Sequence, residues 1–287
     1  ADQDLRRARP GRHPLEQLGG WGEDTITEDA ELGLRVFHNG YEAAYIEQSY
    51  GKGLIPDNFI DYRKQRFRWA YGAVQIMRKY SRQLFFGAET KLSLGQRYHF
   101  VAGWLPWIAD GMNLFFTAGA LIWSYAMVFS AMVDPPNVVY AIPPLALFFF
   151  KLTKLYHVYR SRVCTNRVET VQAAFAGLAL SFVISKAMLY GLFTDKVPFL
   201  RTPKNKDRES LWFALLLVSE EAIITLLLWG AAIGLIVTRY DNLQASELQL
   251  WLVAILIQSL PYFAAIAMSV ISSSPGKRRP SGVVAGA

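Results

Sequence analysis

Five long apolar stretches follow residue 110 and limit what this chain can fold into. They cover residues 111–133, 138–155, 171–193, 211–238 and 248–271. A helix of about 20 apolar residues is long enough to cross the hydrocarbon core of a bilayer. Lipid cannot satisfy exposed backbone polar groups, so the stretches predict a helical membrane bundle. The residues before them are charged and mixed, which divides the chain into a polar start and a membrane part.

The placement of basic residues predicts which stretches cross the membrane. Lysine and arginine are concentrated in residues 151–167, 196–208 and 277–279. The positive-inside rule places all three segments on the cytoplasmic side. The stretch 171–193 joins two of them, so we expect it to lie along the membrane surface or to re-enter, with Lys186 facing solvent. The prediction is four spanning helices and one interfacial helix, with Lys151 and Lys154 snorkelling from a helix end.

The polar start contains the motif Thr27-Glu28-Asp29. Thr27 is predicted to N-cap a helix that ends at Asn39-Gly40, and a short strand is expected over Ala43–Ile46. Glu28 and Asp29 then lie in the first helical turn, where the helix dipole favours carboxylates. A structural role at the helix start explains the motif. The alternative is that Asp29 faces a cleft and takes a proton from a hydroxyl nucleophile.

A second motif lies on a helix predicted over Asp61–Tyr80. At helical spacing one face carries Gln65, Arg68 and Trp69, with Arg66 at its edge. The opposite face is apolar and carries Phe67, Tyr71, Val74 and Met77. Arginine forks suit a pyrophosphate, and an indole suits the C–H face of a sugar ring. The alternative is an amphipathic interfacial helix with basic and aromatic anchors.

Two further groups are candidates for a translocation path. Trp104 and Trp107 lie in residues 99–110, which we interpret as an interfacial lead-in to the first span. Glu220 and Glu221 fall well inside the fourth stretch, where ionisable side chains face a polar cavity or a partner. Pairing with a neighbouring helix would equally explain the two glutamates. The single cysteine, Cys164, and four scattered histidines predict no metal site in this chain.

Three motifs stand in order along the chain: Thr27-Glu28-Asp29, Gln65 to Trp69, and Phe199-x-x-Thr202-x-Lys204. Together they resemble the membrane-embedded processive family 2 glycosyltransferases, such as cellulose synthase. The resemblance implies that Asp29 is the catalytic base and that Gln65, Arg66, Arg68 and Trp69 bind the nucleotide diphosphate and the acceptor. It implies that Phe199, Thr202 and Lys204 form a gating loop. Leu200-Arg201 departs from the small or β-branched pair that is usual there.

The resemblance also implies the substrates and the surroundings. The donor is expected to be a nucleotide sugar such as UDP-glucose, with a divalent cation (Mg or Mn) whose ligands lie outside this chain. The acceptor is expected to be a growing glycan. The residues around the motifs resemble bacterial β-(1,3)-glucan synthases more than cellulose synthases. The expected location is the bacterial inner membrane, multi-pass, with the motif loops cytoplasmic. No nucleic-acid partner is expected.

The predicted fold is mostly α: a partial α/β transferase domain followed by a helical transmembrane bundle. Its parts are a transferase remnant (1–60), interfacial helices (61–110), a transmembrane region (111–271) and a tail (272–287). The transmembrane region includes the interfacial helix 171–193 and a gating-like loop, 195–209. The resemblance implies a nucleotide-sugar half, before Thr-Glu-Asp, that carries metal- and uracil-binding aspartates. No Asp-x-Asp follows a predicted strand in this sequence. We therefore expect that the chain alone is inactive and that another polypeptide segment or chain supplies that half. Rival hypotheses are a polytopic transporter and a non-catalytic scaffold subunit.

Overall fold

The computed structural model describes residues 14–44, 46, 48, 51, 56, 58–163, 166–195 and 211–273. Within these ranges the helices are α1 (Pro14–Gln17), α2 (Glu28–His38), α3 (Phe59–Lys79), α4 (Leu94–Phe129), α5 (Ile142–Val158), α6 (Arg167–Ala179), α7 (Ser181–Phe193), α8 (Leu211–Leu216), α9 (Ser219–Thr238) and α10 (Ser246–Ser273). Short π-helical segments follow α3 and α5, at Arg82–Phe86 and Tyr159–Val163. The mostly-α prediction is confirmed.

Five helical segments are long and apolar enough to cross a membrane: Leu94–Phe129, Val138–Ser161, Arg167–Phe193, Ser219–Thr238 and Ser246–Ser273. They coincide with the five apolar stretches of the sequence, and they pack into one bundle. The helix α3 is not among them, since it carries too many charges along its length. The prediction of a helical membrane bundle is therefore confirmed.

The two motif-bearing helices form close to their predicted bounds. The helix α2 begins after Thr27 and ends before Asn39, and Gly40 has a φ of +85°, as a helix-terminating glycine should. The helix α3 begins after Asn58, whose side chain accepts a hydrogen bond from the Asp61 amide. The strand expected at Ala43–Ile46 is wrong: residues 43, 44 and 46 are not in a strand, and the described part of the chain holds no second strand with which they could pair.

The interfacial lead-in and the first span are one continuous helix, α4, which corrects the predicted boundary at residue 110. A capping box fixes its start: Ser93 accepts from the Gln96 amide, and Gln96 accepts from the Ser93 amide. Pro106 lies inside α4 without ending it. Trp104 and Trp107 therefore lie on the same rigid element as the membrane-spanning residues.

The third apolar stretch is divided into α6 and α7 by a turn at Leu180. The helix α7 packs most extensively against α3 on one side and α4 on the other. Gly191 makes the crossing with α3 close, because a Cβ there would lie 2.8 Å from Val74 Cβ. Lys186 was predicted to face open solvent. Its side chain is instead only one-third exposed and pairs with Glu220 at 2.5 Å.

The fourth apolar stretch is also interrupted. A turn at Leu217–Val218 separates α8 from α9, so Glu220 and Glu221 lie in the first turn of α9 rather than deep within one long helix. Carboxylates are favoured at that end of a helix. The predicted depth of these two residues was wrong, because the apolar composition of the stretch continues through the break.

Lys151 was predicted to snorkel to the membrane surface, and this prediction is wrong. Its ammonium lies inside the bundle, 2.5 Å from Asp110 Oδ1 on α4 and 2.6 Å from Ser181 Oγ on α7. Asp110 is almost fully buried, and an unpaired carboxylate there would be costly. The pair therefore joins three helices next to the turn at Leu180.

Candidate functional site

The helix α3 is the floor of the candidate site. Its apolar face is buried as predicted: Tyr71 and Val74 are inaccessible, and Phe67 and Met77 pack beside them in a core shared with α7 and α10. A second stripe at helical spacing carries Arg68, Gly72, Gln75 and Lys79. This stripe receives the segment that precedes α2.

Thr27 lies directly over Gly72. A Cβ added at Gly72 would overlap the Thr27 hydroxyl and come within 2.6 Å of its methyl carbon, so only glycine permits this approach. Thr27 occupies the N-cap position of α2, but its side chain makes no capping bond. Within the described residues its buried hydroxyl has no hydrogen-bond partner. Thr27 thus serves here as the contact point between α2 and α3.

Three contacts orient the segment from Asp24 to Thr27 along that stripe. Asp24 pairs with Lys79 at 2.6 Å, the Ile26 amide donates to Gln75 Oε1 at 3.0 Å, and Thr27 covers Gly72. Successive residues of the segment therefore contact successively earlier turns of α3. Glu28 and Asp29 follow Thr27 in the chain, and Thr27 makes the contact of this segment that lies nearest Arg68 along α3. Both are exposed, and Asp29 Oδ1 accepts from the Ala30 amide at 2.8 Å.

Arg66 forms an aromatic sandwich on α3. Its guanidinium carbon lies 4.9 Å from the Tyr62 ring centroid and 4.5 Å from the Trp69 centroid, and Nη2 donates to the Tyr62 hydroxyl at 3.1 Å. Such stacking is attractive and fixes the planes of the groups involved. Trp69 remains 40% exposed. The indole is thus held in place by Arg66 and still accessible to a ligand.

A buried carboxylate fixes the far end of the stripe. Glu31, which is 1% exposed, accepts from the Tyr80 hydroxyl at 2.5 Å and from Lys79 Nζ at 2.9 Å. Burial and the hydrogen bond to Glu31 raise the pKa of Tyr80 to about 12. The hydrogen bond from Lys79 lowers the pKa of Asp24. Burial alone would lower the pKa of Lys79, but its bonds to Asp24 and Glu31 outweigh that effect and raise it.

The other predicted site residues lie elsewhere. Trp104 and Trp107 contact each other at a ring-centroid distance of 4.9 Å, and Trp107 packs against the core that contains Tyr71. Glu221 is fully buried and pairs with Arg63 at 2.6 Å, while Glu220 pairs with Lys186. Pairing with neighbouring helices therefore accounts for both glutamates. Phe199, Thr202 and Lys204 lie outside the described residues.

A divalent cation does not fit the part of the chain that the structure describes. No three histidine, cysteine, aspartate or glutamate side chains converge there as a ligand set. Asp24, the acidic residue nearest the stripe, is already paired with Lys79. No step of the proposed reaction is therefore assigned to a metal.

Sequence reasoning missed three residues that build the site: Gly72, Gln75 and Arg63. A glycine in the interior of a strongly periodic helix is a sign of close packing, so Gly72 could have been found. Gln75 and Arg63 are ordinary polar residues on an amphipathic helix. Their partners, Ile26 and Glu221, are far away in sequence.

A comparison with known proteins identifies the family of this chain. A model of the family described as glycosyl transferase family group 2 matches residues 11–156, about half of the chain, and this range contains both α2 and α3. The chain belongs to this family. The match extends through α4 and most of α5, so it includes membrane helices as well as the candidate site.

Individual relatives within this family are cellulose and glucomannan synthases. The chain is 27% identical to the cellulose synthase catalytic subunit [UDP-forming] of Komagataeibacter sucrofermentans, over 90% of this chain and 34% of that protein. It is 30% identical to the cellulose synthase 1 catalytic subunit [UDP-forming] of Komagataeibacter xylinus, over 57% and 22%. It is 25% identical to the probable glucomannan 4-beta-mannosyltransferase 3 of Arabidopsis thaliana, over 48% and 23%. The chain thus spans about a third or less of these relatives. With its candidate spans, it is a multi-pass membrane protein.

Proposed function

We propose that this chain carries the acceptor side of the active site and the membrane part of an inverting, processive glycosyltransferase. The observation that carries the proposal is the contact between Thr27 and Gly72. It holds Thr27 one helical turn from Arg68 and Trp69, which lie four and three residues before Gly72, and so supports a site that Asp29 shares with them. In this proposal a proton acceptor, cations and an aromatic surface meet at the middle of α3.

Each group has a chemical role in this proposal. Asp29 accepts the proton of the acceptor hydroxyl as that oxygen attacks the anomeric carbon of the donor and the nucleoside diphosphate leaves. Arg68, assisted by Arg66, binds the departing diphosphate, since guanidinium groups are suited to phosphate oxygens. Trp69 stacks on the terminal sugar of the acceptor, with Gln65 beside it. The accessible position of Trp69 and the exposure of Asp29 support these roles.

The donor in this proposal is UDP-glucose and the product a β-glucan, and the similarity to UDP-forming cellulose synthase catalytic subunits supports both assignments. The β-(1,3) linkage follows from the sequence resemblance. The motif helices lie at the cytoplasmic face of a bacterial inner membrane, and Phe199, Thr202 and Lys204 act on the donor side. Trp104 and Trp107 begin the path of the product along α4, while Glu220 and Glu221 secure the start of α9.

The test is transfer of labelled glucose from UDP-glucose by membranes that contain this chain. It is run with the chain alone and with a nucleotide-sugar-binding domain supplied, and we expect polymer only in the second case. Asp29→Asn should then lower kcat by about 10²-fold or more, because general-base assistance is worth about 10²–10⁴-fold. Digestion of the product with β-(1,3)- and β-(1,4)-specific glucanases assigns the linkage.

Glu42→Gln is the matched control, because Glu42 is also an exposed carboxylate but lies beyond the other end of α2. It should leave the transfer rate unchanged. Polymer output that is unchanged by Asp29→Asn would remove the catalytic role of Asp29 and favour a scaffold subunit. Azido-nucleotide-sugar crosslinks near Arg68 would support the transferase over a transporter.

A further inference from the structure

Gln75 is the side chain that joins the Asp29-bearing segment to the end of α7. Its Oε1 accepts from the Ile26 amide at 3.0 Å, and its Nε2 donates to the Asp195 carbonyl at 3.0 Å. A backbone N–H requires an acceptor and a carbonyl requires a donor, so these two partners fix which way the amide faces. Both ends of the Gln75 side chain are therefore committed.

The residues on either side of Gln75 keep its second partner in place. Arg78, one turn later on α3, donates to the carbonyls of Gly191 and Thr194 at 2.8 and 3.0 Å and pairs with Asp195 at 2.9 Å. Tyr71, one turn earlier, shares a hydrogen bond of 3.0 Å with the Thr194 hydroxyl. The end of α7 is thus fixed to α3 at several points. It provides a rigid support for the Gln75 amide.

On the other side, Gln75 binds the backbone immediately before the catalytic motif. Ile26 precedes Thr27, and the Thr27 side chain contributes only a packing contact over Gly72. Asp24 is anchored to Lys79, but that contact lies farther from Asp29 and is half exposed. The Gln75 bond is accordingly the polar anchor nearest Asp29 among the contacts between this segment and α3.

We propose that Gln75 is a positioning residue for transfer: it holds the Asp29 carboxylate in register with Arg68 and Trp69 through the Ile26 amide. The inference rests on the proposed function of Asp29. A misplacement of about 1 Å can cost roughly 10²-fold in rate, so the loss of one such anchor is measurable. Because both polar atoms of the Gln75 side chain are bonded to protein backbone, we expect its removal to change kcat and leave donor KM alone.

Two substitutions separate the two bonds in the complete enzyme. Gln75→Met keeps the side-chain length and removes both bonds, whereas Gln75→Glu keeps an acceptor for the Ile26 amide, loses the donor to the Asp195 carbonyl and adds a negative charge beside it. We expect Gln75→Met to lower kcat by roughly 10-fold with an unchanged donor KM, and Gln75→Glu to stay within about 3-fold of the parent. Gln172→Met, at an exposed position of α6, is the control for a glutamine-to-methionine change.

Hydrogen exchange supplies a readout that does not depend on activity. Backbone amides in a peptide covering residues 24–29 should exchange faster in Gln75→Met and at the parental rate in Gln75→Glu and Gln172→Met. A parental kcat for Gln75→Met, or an equal loss in Gln75→Met and Gln75→Glu, would overturn the inference. So would unchanged exchange in Gln75→Met.

A double-mutant cycle with Asp29→Asn distinguishes failure of this inference from failure of the proposed function. If Gln75 acts through Asp29, Gln75→Met should cost nothing further in the Asp29→Asn background. If Asp29→Asn alone has no effect on transfer, the proposed function itself is wrong. If Asp29→Asn abolishes transfer while Gln75→Met leaves kcat unchanged, only the positioning role is wrong.

Discussion

Gly72 determines how closely the two motifs of this chain can approach each other. The space above it is filled by Thr27, and a Cβ at Gly72 would overlap the Thr27 hydroxyl. Neither partner can relieve the overlap easily, because both lie on helix-bound backbone: Thr27 at the start of α2 and Gly72 in the middle of α3. A single hydrogen atom in place of a side chain therefore permits the close approach of Thr27, and with it the start of α2, to α3.

We predict that Gly72→Ala destabilises the protein by about 1–3 kcal/mol, as overpacking of a tight contact does. It should also lower the transfer rate, because Thr27 and the following Asp29 must move. Gly33→Ala in α2 is the matched control, since a Cβ there meets nothing within 4 Å. Alanine at Gly33 should stabilise the helix by about 0.5–1 kcal/mol.

The measurement is thermal unfolding of the detergent-purified protein beside the transfer assay. The two variants should shift Tm in opposite directions. Equal stability and equal activity of Gly72→Ala and Gly33→Ala would contradict the close contact.

At the scale of elements, the ion pair between Arg63 and Glu221 joins α3 to the start of α9. Arg63 Nη2 lies 2.6 Å from Glu221 Oε1, and the Glu221 side chain is fully buried. Arg63 also reaches the Leu217 carbonyl at 3.4 Å, next to the turn that separates α8 from α9. The pair thus stabilises the start of α9. The composition of the fourth apolar stretch does not by itself indicate a break between α8 and α9.

We predict that Arg63→Met destabilises the protein by about 3–5 kcal/mol, because it leaves a buried carboxylate without its partner. Arg63→Met combined with Glu221→Gln should recover much of that loss. Lys64→Met is the control: Lys64 is half exposed in its pair with Asp61 on the same helix, and Asp61 keeps its hydrogen bond from Asn58, so this change should cost about 0–1 kcal/mol. The measurement is a double-mutant cycle in urea unfolding. A double variant no more stable than Arg63→Met would contradict the buried-pair interpretation.

Local signals made α2 and α3 predictable from sequence, whereas tertiary contacts decided the rest. Both helices are preceded by a residue of a type that favours the N-cap position, Thr27 or Asn58, and both have a clear apolar periodicity, so their bounds could be predicted to within about two residues. The turn at Leu180 could not, because apolar residues continue through it and the nearby Gly177 lies inside α6 rather than at the turn. Lys151 was placed at the membrane surface because composition cannot reveal a buried partner such as Asp110.

The candidate site shows the same division. The composition of the Gln65–Trp69 face and the identity of Asp29 follow from spacing and from the family resemblance. The packing of the start of α2 on α3 could not be predicted. It depends on the contact between Thr27 and Gly72, which are 45 residues apart in the sequence. The contacts of Gln75 join three segments and required coordinates.

At the scale of the whole molecule, the unusual feature is a polar helix that packs along an apolar one. The helix α3 carries arginines and lysines from Arg63 to Lys79, so it lies outside the hydrocarbon core. The helix α7 contacts α3 at two pairs of residues. The ring of Phe67 on α3 lies 6.2 Å from the ring of Tyr190 on α7, and Arg78 on α3 donates a hydrogen bond to the Gly191 carbonyl on α7. We therefore infer that α7 lies at the membrane surface with α3, although α6 and α7 together are long enough to span.

This arrangement predicts that both ends of the α6–α7 segment are on the same side of the membrane. Two proteins test this prediction. The parent protein has Cys164 just before α6, and the variant Lys196→Cys with Cys164→Ser has its cysteine just after α7. Both should react with an impermeant maleimide only in inside-out vesicles. A third variant, Met132→Cys with Cys164→Ser, places the label in the short turn after α4, where Met132 is 94% exposed. It should react only in right-side-out vesicles. If α6 and α7 crossed the bilayer as one span, the labels at positions 164 and 196 would react from opposite sides. The charged face of α3 would then have to lie in lipid at a cost of about 2.5–3.5 kcal/mol for each arginine or lysine.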